Sequence, residues 1–89
     1  MNFIIPTSLR QHTDGSKTVA VSGKTVDAAL QDLINQYPNL RDQLINPSGQ
    51  LVSFVNVFVN DSNIRDLNNG DTPLREIDEI LLVPAIAGG

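Results

Sequence analysis

One stretch of this 89-residue chain has the spacing of a long amphipathic helix. Its apolar residues fall at 26, 29, 30, 33 and 34, which is the i, i+3, i+4, i+7, i+8 pattern of one helical face. Thr25 before it is a good N-cap, and Pro38 disfavours helical geometry at the residue that precedes it, so the helix should end near Gln36. We expect this helix to cover the core of the protein.

The other apolar segments are short and have the composition of β-strands. Strands are predicted over residues 2–5, 17–22 and 54–59, in a short segment around Ile64, and over 80–83. Within 54–59, alternation puts the three valines on one face, which we expect to contact the helix, and Phe54 and Phe58 on the other. The last strand is predicted to stop before Pro84, because proline has no N–H to donate to a ladder.

Two further segments are predicted to be helical turns. Residues 9–12 form one, with the hydroxyl of Thr7 or Ser8 as its N-cap, and residues 40–44 form the other. The element order is then strand, strand, helix, strand, short strand, strand. The first two strands are close enough in sequence to pair antiparallel, and the last can lie parallel to the first through a right-handed crossover.

This order predicts an α+β protein with a ubiquitin-like β-grasp fold. Its mixed sheet should have four to five strands, with one main helix packed across it. We expect residues 1–84 to form this single domain and residues 85–89 to form a flexible C-terminal tail that ends in Gly-Gly.

Composition excludes several classes of function. A net charge of −4 without any basic block argues against nucleic acid and against an anionic membrane surface, and it suggests partners with a basic docking face. The absence of cysteine excludes disulfides, thiolate zinc sites and a cysteine nucleophile. The N-terminus lacks the features of a signal peptide, and no segment approaches the ~18 apolar residues of a membrane span. We therefore expect a cytoplasmic protein.

No set of side chains has the spacing of an active site. His12, the only histidine, has no catalytic partner nearby in sequence, so we expect a surface or loop residue. The carboxylates are scattered through turns and match no calcium loop, and no nucleophile is accompanied by a base. The chain is therefore predicted to have no catalytic residue, no metal and no bound cofactor.

The terminal carboxylate of Gly89 is the remaining reactive group. Its ordinary pKa is about 3.3–3.7, so it is ionised at neutral pH and must be activated, as an acyl-adenylate made by another enzyme with ATP. Five residues extend at most about 16–18 Å, and the two glycines present no side-chain bulk. The segment predicted to enter a partner's active site is Pro84, Ala85, Ile86, Ala87, Gly88 and Gly89.

Three segments together carry a family resemblance. They are Ile5-Pro6-Thr7-Ser8-Leu9-Arg10, the strand from Phe54 to Asn60, and Leu82-Val83-Pro84-Ala85-Ile86-Ala87-Gly88-Gly89. The chain resembles the ubiquitin-like sulfur-carrier family (ThiS/MoaD-like) over essentially its whole length. That family includes the small subunit of molybdopterin synthase, the thiazole-synthesis carrier and the cysteine-synthesis carrier, and the resemblance is greatest to the last.

The resemblance implies a sequence of partners. An activating enzyme would adenylate Gly89 with ATP, and the adenylate would become a thiocarboxylate. A PLP-dependent cysteine synthase would take the sulfur, and a metalloprotease would release the product. Three alternatives stay open. The sulfur could be delivered to molybdopterin or thiazole synthesis, Gly89 could be conjugated to a partner lysine as in a protein modifier, or the chain could be an inert binding module.

Two positions bear on partner contacts. Phe54 and Phe58 are candidate docking residues, because aromatic side chains on the sheet face opposite the helix would otherwise be exposed. The family often has glycine before its Asp-Glu turn, whereas this chain has Ile77 before Asp78 and Glu79. Since isoleucine is a poor fit to positive φ, we expect the turn here to differ.

Overall fold

The computed structural model describes residues 1–52 and 54–84. Its strands are β1 (Asn2–Ile4), β2 (Thr18–Ala20), β3 (Val55–Val59), β4 (Ser62–Asn63) and β5 (Glu79–Pro84). Its α-helices are α1 (Val26–Gln36) and α2 (Arg41–Leu44). Short 3₁₀ helices cover Thr7–His12, Pro38–Leu40, Ile64–Asp66 and Asn69–Asp71.

The five strands form one mixed sheet in the order β2-β1-β5-β3-β4. β1 pairs antiparallel with β2 and parallel with β5, and β5 pairs antiparallel with β3. The last strand of the chain therefore lies in the middle of the sheet, beside the first, as the element order predicts. The β-grasp fold is confirmed.

The helix α1 matches its sequence pattern closely. The Thr25 hydroxyl accepts a hydrogen bond from the backbone N–H of Ala28 at 3.2 Å, which confirms the predicted N-cap. The helix ends at Gln36, two residues before Pro38. All five predicted face residues are buried: Val26, Ala29, Leu30, Leu33 and Ile34.

The core lies between α1 and one face of the sheet. Alternate residues of the strands supply it, and the three valines of β3 are buried as predicted. Phe3 in β1 lies opposite both Val19 in β2 and Ile80 in β5, so these three side chains form one row beneath the helix. Each buried apolar side chain of this size contributes about 1.5–3 kcal/mol before entropy is subtracted.

Two local predictions are wrong. The N-cap of the first 3₁₀ helix is Pro6, without a side-chain hydrogen bond, and Thr7 and Ser8 lie inside the helix. Pro6 instead contributes its carbonyl, which accepts the N–H of Leu9 at 2.9 Å. The predicted strand around Ile64 is shifted, because β4 ends at Asn63 and Ile64 begins a 3₁₀ helix.

The predicted end of the last strand is also wrong, by one residue. Pro84 belongs to β5 and lies opposite Val55. The N–H of Asn60 donates to the carbonyl of Glu79, and hydrogen-bonding positions alternate along an antiparallel strand. Val55 and Pro84 thus meet at a non-hydrogen-bonded position, where proline needs no N–H.

No helix within residues 1–52 and 54–84 is both long enough and apolar enough to cross a membrane.

Candidate functional site

The candidate site is the root of the C-terminal segment, which the sheet holds on both sides. β5 is paired with β1 over three residues and with β3 over five. Its Ile80 and Leu82 are buried beneath α1, with 0% and 1% exposure. Backbone pairing and side-chain burial therefore fix the position and direction of the chain up to Pro84.

The start of β5 is held by a buried carboxylate. Asp78 accepts hydrogen bonds from the backbone N–H of Arg75 at 2.8 Å and from the amide Nδ2 of Asn60 at 3.1 Å. Asn60 in turn accepts the N–H of Glu79 at 3.2 Å. One carboxylate and one amide thereby tie the turn after β3 to the beginning of β5.

These contacts change the acidity of Asp78. The Arg75 backbone N–H lowers the pKa of Asp78 below its ordinary value, and the Asn60 amide adds to the effect. Burial opposes them, and the Arg75 guanidinium, 3.6 Å from the carboxylate, lowers the pKa further. Asp78 is therefore held in its charged form at the root of the strand.

Ile77 is accommodated without backbone strain. Among the described residues, the non-glycine positions with positive φ are Asp14, Asn60 and Asn69. The φ angle of Ile77 is not positive, so the turn does not require glycine at this position. Its side chain is 79% exposed, which makes it the most exposed large apolar residue of the described ranges.

The face of the sheet opposite α1 carries a second apolar row. Leu81 lies opposite Ile4 on one side and Phe58 on the other, so three half-buried side chains cross the middle of the sheet. Val83, which is 37% exposed, continues this face toward the last described residue. We call Ile4, Phe58, Leu81 and Val83 the open-face row.

The predicted docking residues fall at this face or beside it. Phe58 belongs to the open-face row and is half-buried, whereas Phe54, immediately before β3, is 56% exposed. The sequence reasoning missed Leu81 and Val83. Their alternation with the buried Ile80 and Leu82 was the available signal, because one helix covers only one face of a sheet.

A polar network borders the open-face row on the β4 side. The Asn56 side-chain oxygen accepts from Arg65 Nη1 at 2.7 Å and lies 3.4 Å from the amide nitrogen of Asn63. Asn56 pairs with Val83 in the sheet. This network therefore places a guanidinium close to the end of β5.

The residues of the tail beyond Pro84 lie outside the described part of the chain. The predictions for Ala85, Ile86, Ala87, Gly88 and Gly89 thus remain predictions, as does the boundary of the domain at residue 84. Within residues 1–52 and 54–84, no group of three or more His, Cys, Asp or Glu side chains could hold a metal ion.

Other members of the sequence motifs have structural roles. Arg10 donates from Nε to the carbonyl of Ile5 at 3.1 Å, which fixes the 3₁₀ helix against the end of β1. His12 is the last residue of that helix and is half-buried. The site that remains is a strand end with an adjacent apolar face, an arrangement suited to presenting a chain terminus.

Comparison with known proteins identifies similar sequences. The model of the ThiS family matches residues 3–89. The sulfur carrier protein CysO of Mycobacterium tuberculosis is 41% identical over 87 residues, which cover 96% of this chain and 94% of that protein.

Solved structures are similar as well. A crystal structure of the BexX/CysO complex from Amycolatopsis orientalis matches with a TM-score of 0.90 and 33% identity, covering 99% of this chain and 98% of the matched one. The small archaeal modifier protein 1 of Methanosarcina acetivorans matches with a TM-score of 0.89 and 28% identity, covering 99% and 94%.

The Asp78 contacts generate a prediction about acid stability. Because the folded-state pKa of Asp78 is lowered, its contribution is complete above the unfolded value of about 3.9 and is lost as pH falls through the folded pKa. Asp78→Asn should reduce the free energy of unfolding at neutral pH. Below pH ~4, the free energy of unfolding of the variant should fall less steeply with pH than that of the wild type. Denaturant titrations across this range measure both effects.

The exposed Asp61→Asn variant is the control, and it should keep the wild-type decline. An Asp78→Asn protein whose unfolding free energy falls with acid as steeply as that of the wild type would contradict this role for Asp78.

Proposed function

The chain belongs to the ThiS family, and from this premise we propose that it is a sulfur carrier whose Gly89 carboxylate becomes a thiocarboxylate. One observation carries the proposal: the chain is held at the centre of the sheet up to Pro84, and five residues follow it in the sequence. A terminus used as a reactive group needs this combination of a fixed root and a short, unhindered end.

The chemistry requires an activating enzyme. The Gly89 carboxylate attacks the α-phosphate of ATP, releasing pyrophosphate and forming an acyl-adenylate. A sulfur nucleophile then displaces AMP and leaves sulfur in place of one carboxylate oxygen. Glycine leaves the acyl carbon unhindered, and the extended tail spans at most about 16–18 Å, enough to enter a partner's pocket while the folded domain stays outside.

Cysteine synthesis is the acceptor pathway that we propose. Its support is the similarity to proteins named CysO sulfur carriers, at 41% identity over nearly the whole chain. The partner would be a PLP-dependent cysteine synthase, in which the thiocarboxylate sulfur displaces the activating group of an activated serine, so that a cysteinyl adduct stays on the carrier. A metalloprotease would hydrolyse that adduct.

In this proposal the chain is a co-substrate, and its partners supply the catalytic side chains and use ATP. We assign it to the cytoplasm, because the activation consumes ATP. Delivery to molybdopterin or thiazole synthesis is the first alternative. The second is a protein modifier joined to a lysine through Gly89, which the similarity to small archaeal modifier protein 1 favours.

Phe54 and the open-face row form the proposed docking surface for the activating enzyme. Leu81 and Val83 belong to the same strand that leads into the tail, so a partner that contacts them also receives the tail. Aromatic and aliphatic side chains that are partly exposed on one face are typical of protein interfaces. Phe54, at 56% exposure, has the most surface to bury.

The carrier chemistry predicts a defined mass change. After incubation with ATP, its activating enzyme and a sulfur source, the intact protein should gain the mass difference between sulfur and oxygen. Deletion of Gly89 should abolish that gain while the far-ultraviolet circular dichroism stays unchanged. An unmodified wild-type protein, with an enzyme that activates another carrier, would contradict the proposal. A lysine-linked conjugate would favour the modifier alternative.

The docking surface predicts a binding defect that leaves the chemistry intact. Phe54→Ala should raise the KM for activation by about tenfold, because a central interface aromatic contributes roughly 1–2 kcal/mol or more. Its kcat should stay close to that of the wild type. Ile77→Ala is the matched control, since Ile77 is more exposed but lies where β5 begins. Equal KM values for the two variants would exclude Phe54 from the interface.

A further inference from the structure

Charged side chains are distributed unevenly between the two ends of the sheet. We call the end where β5 stops at Pro84 the tail end, and the end where β5 begins at Glu79 the far end. β1 runs parallel to β5, and Ile4 lies beside Leu81, so Ile5 is also at the tail end.

Cationic side chains collect at the tail end. The N–H of Ile5 donates to the carbonyl of Lys17 at 2.8 Å, and Arg10 donates to the carbonyl of Ile5. Arg65 donates to Asn56, which pairs with Val83 near the end of β5.

Arg41 reaches the same end through the segment before β3. It begins α2, whose last residue, Leu44, accepts the N–H of Val52 at 2.8 Å. Val52 in turn accepts the N–H of Val55, the residue opposite Pro84. Four of the six lysines and arginines are therefore at the tail end. The carboxylates near them are Asp14 and Asp42 in sequence, and Asp27, which shares an opening with Arg65.

Carboxylates collect at the far end. Asp61 lies in the turn that joins β3 to β4, and Asp66 and Asp78 line one opening there. Glu76 lines another opening with Lys24, whose carbonyl accepts the N–H of Leu74. The six carboxylates at this end are Asp61, Asp66, Asp71, Glu76, Asp78 and Glu79.

The formal charge of −4 is therefore a property of the far end. The far end has six carboxylates against Lys24 and Arg75, whereas four cations face three carboxylates around the root of the tail. A partner with a basic docking face would attract the negatively charged far end, and the tail would then point away from that partner. Electrostatic steering brings the tail into the partner only if the charge around the partner's entrance is opposite to the charge around the root of the tail.

We propose that the activating enzyme receives the tail through an acidic entrance, whose carboxylates face Lys17 and Arg41. This inference rests on the proposed function and specifies the chemistry of the partner. It replaces the expectation, drawn from net charge alone, that the docking face of the partner is basic. Both side chains are exposed, so both are available to such a rim.

Lys17 and Lys24 provide a matched test. Both lysines are exposed, and they flank β2 at opposite ends of the sheet. Replacing either with glutamate changes the net charge by the same amount, so only the location differs. The assay is ATP–pyrophosphate exchange by the activating enzyme, with the carrier varied at low and high ionic strength.

The acidic entrance predicts that Lys17→Glu raises the KM by about threefold or more at low salt, with kcat unchanged, because a rim charge acts mainly on association. The increase should shrink at high salt, and Arg41→Glu should behave in the same way. Lys24→Glu should leave the KM within about twofold of the wild type. Lys17→Gln, which removes the charge without reversing it, should give an intermediate KM.

Equal KM changes for Lys17→Glu and Lys24→Glu would overturn the inference, as would a lower KM for Lys17→Glu. These results leave the carrier proposal intact, because the wild-type protein is still activated. A wild-type protein that supports no exchange would instead overturn the proposed function itself.

Discussion

The pairing of β5 with strands on both sides is the interaction on which the rest of the molecule depends. β1 and β3 hold its backbone, and α1 covers Ile80 and Leu82. Burial of those two side chains contributes about 1.5–3 kcal/mol each before entropy. A strand at the edge of a sheet could fray or exchange partners, whereas a central strand keeps its register. The short segment after Pro84 therefore starts from a fixed point with a fixed direction.

The edges of the sheet are short, and one of them is closed by a helix side chain. β2 has three residues, and Gln36 of α1 donates to the carbonyl of Ala20 at 2.9 Å. Asp32 accepts the N–H of Ser22 at 2.9 Å, which ties the chain after β2 to the same helix. Short edges with occupied backbone groups discourage pairing with other chains. These contacts disfavour pairing of β2 with the backbone of another chain.

Most elements of this fold can be predicted from the sequence, because they depend on residues close to one another in the chain. The helical period, Thr25 and Pro38 give the bounds of α1, and strand alternation gives the buried valines of β3. Predictions failed where a tertiary contact decides the outcome. Pro84 remains in the sheet because it lies opposite Val55 at a non-hydrogen-bonded position of the ladder with β3. The hydrogen bond between Asn60 and Asp78 joins residues 18 positions apart, so it was not predicted. The charge difference between the two ends follows from the topology and cannot be read from the net charge.

Membership of the ThiS family and the fixed root of the tail at Pro84 together support Gly89 as the reactive group. We propose that Gly89 carries sulfur in the cell. The most direct test is the intact mass of the protein isolated from its own source, followed by fragmentation to locate any change. We predict a fraction in which one oxygen of the Gly89 carboxylate is replaced by sulfur, and a larger fraction when acceptor enzymes are depleted. A Gly89 that remains an unmodified carboxylate under both conditions, or that is found linked to lysine, would contradict the account.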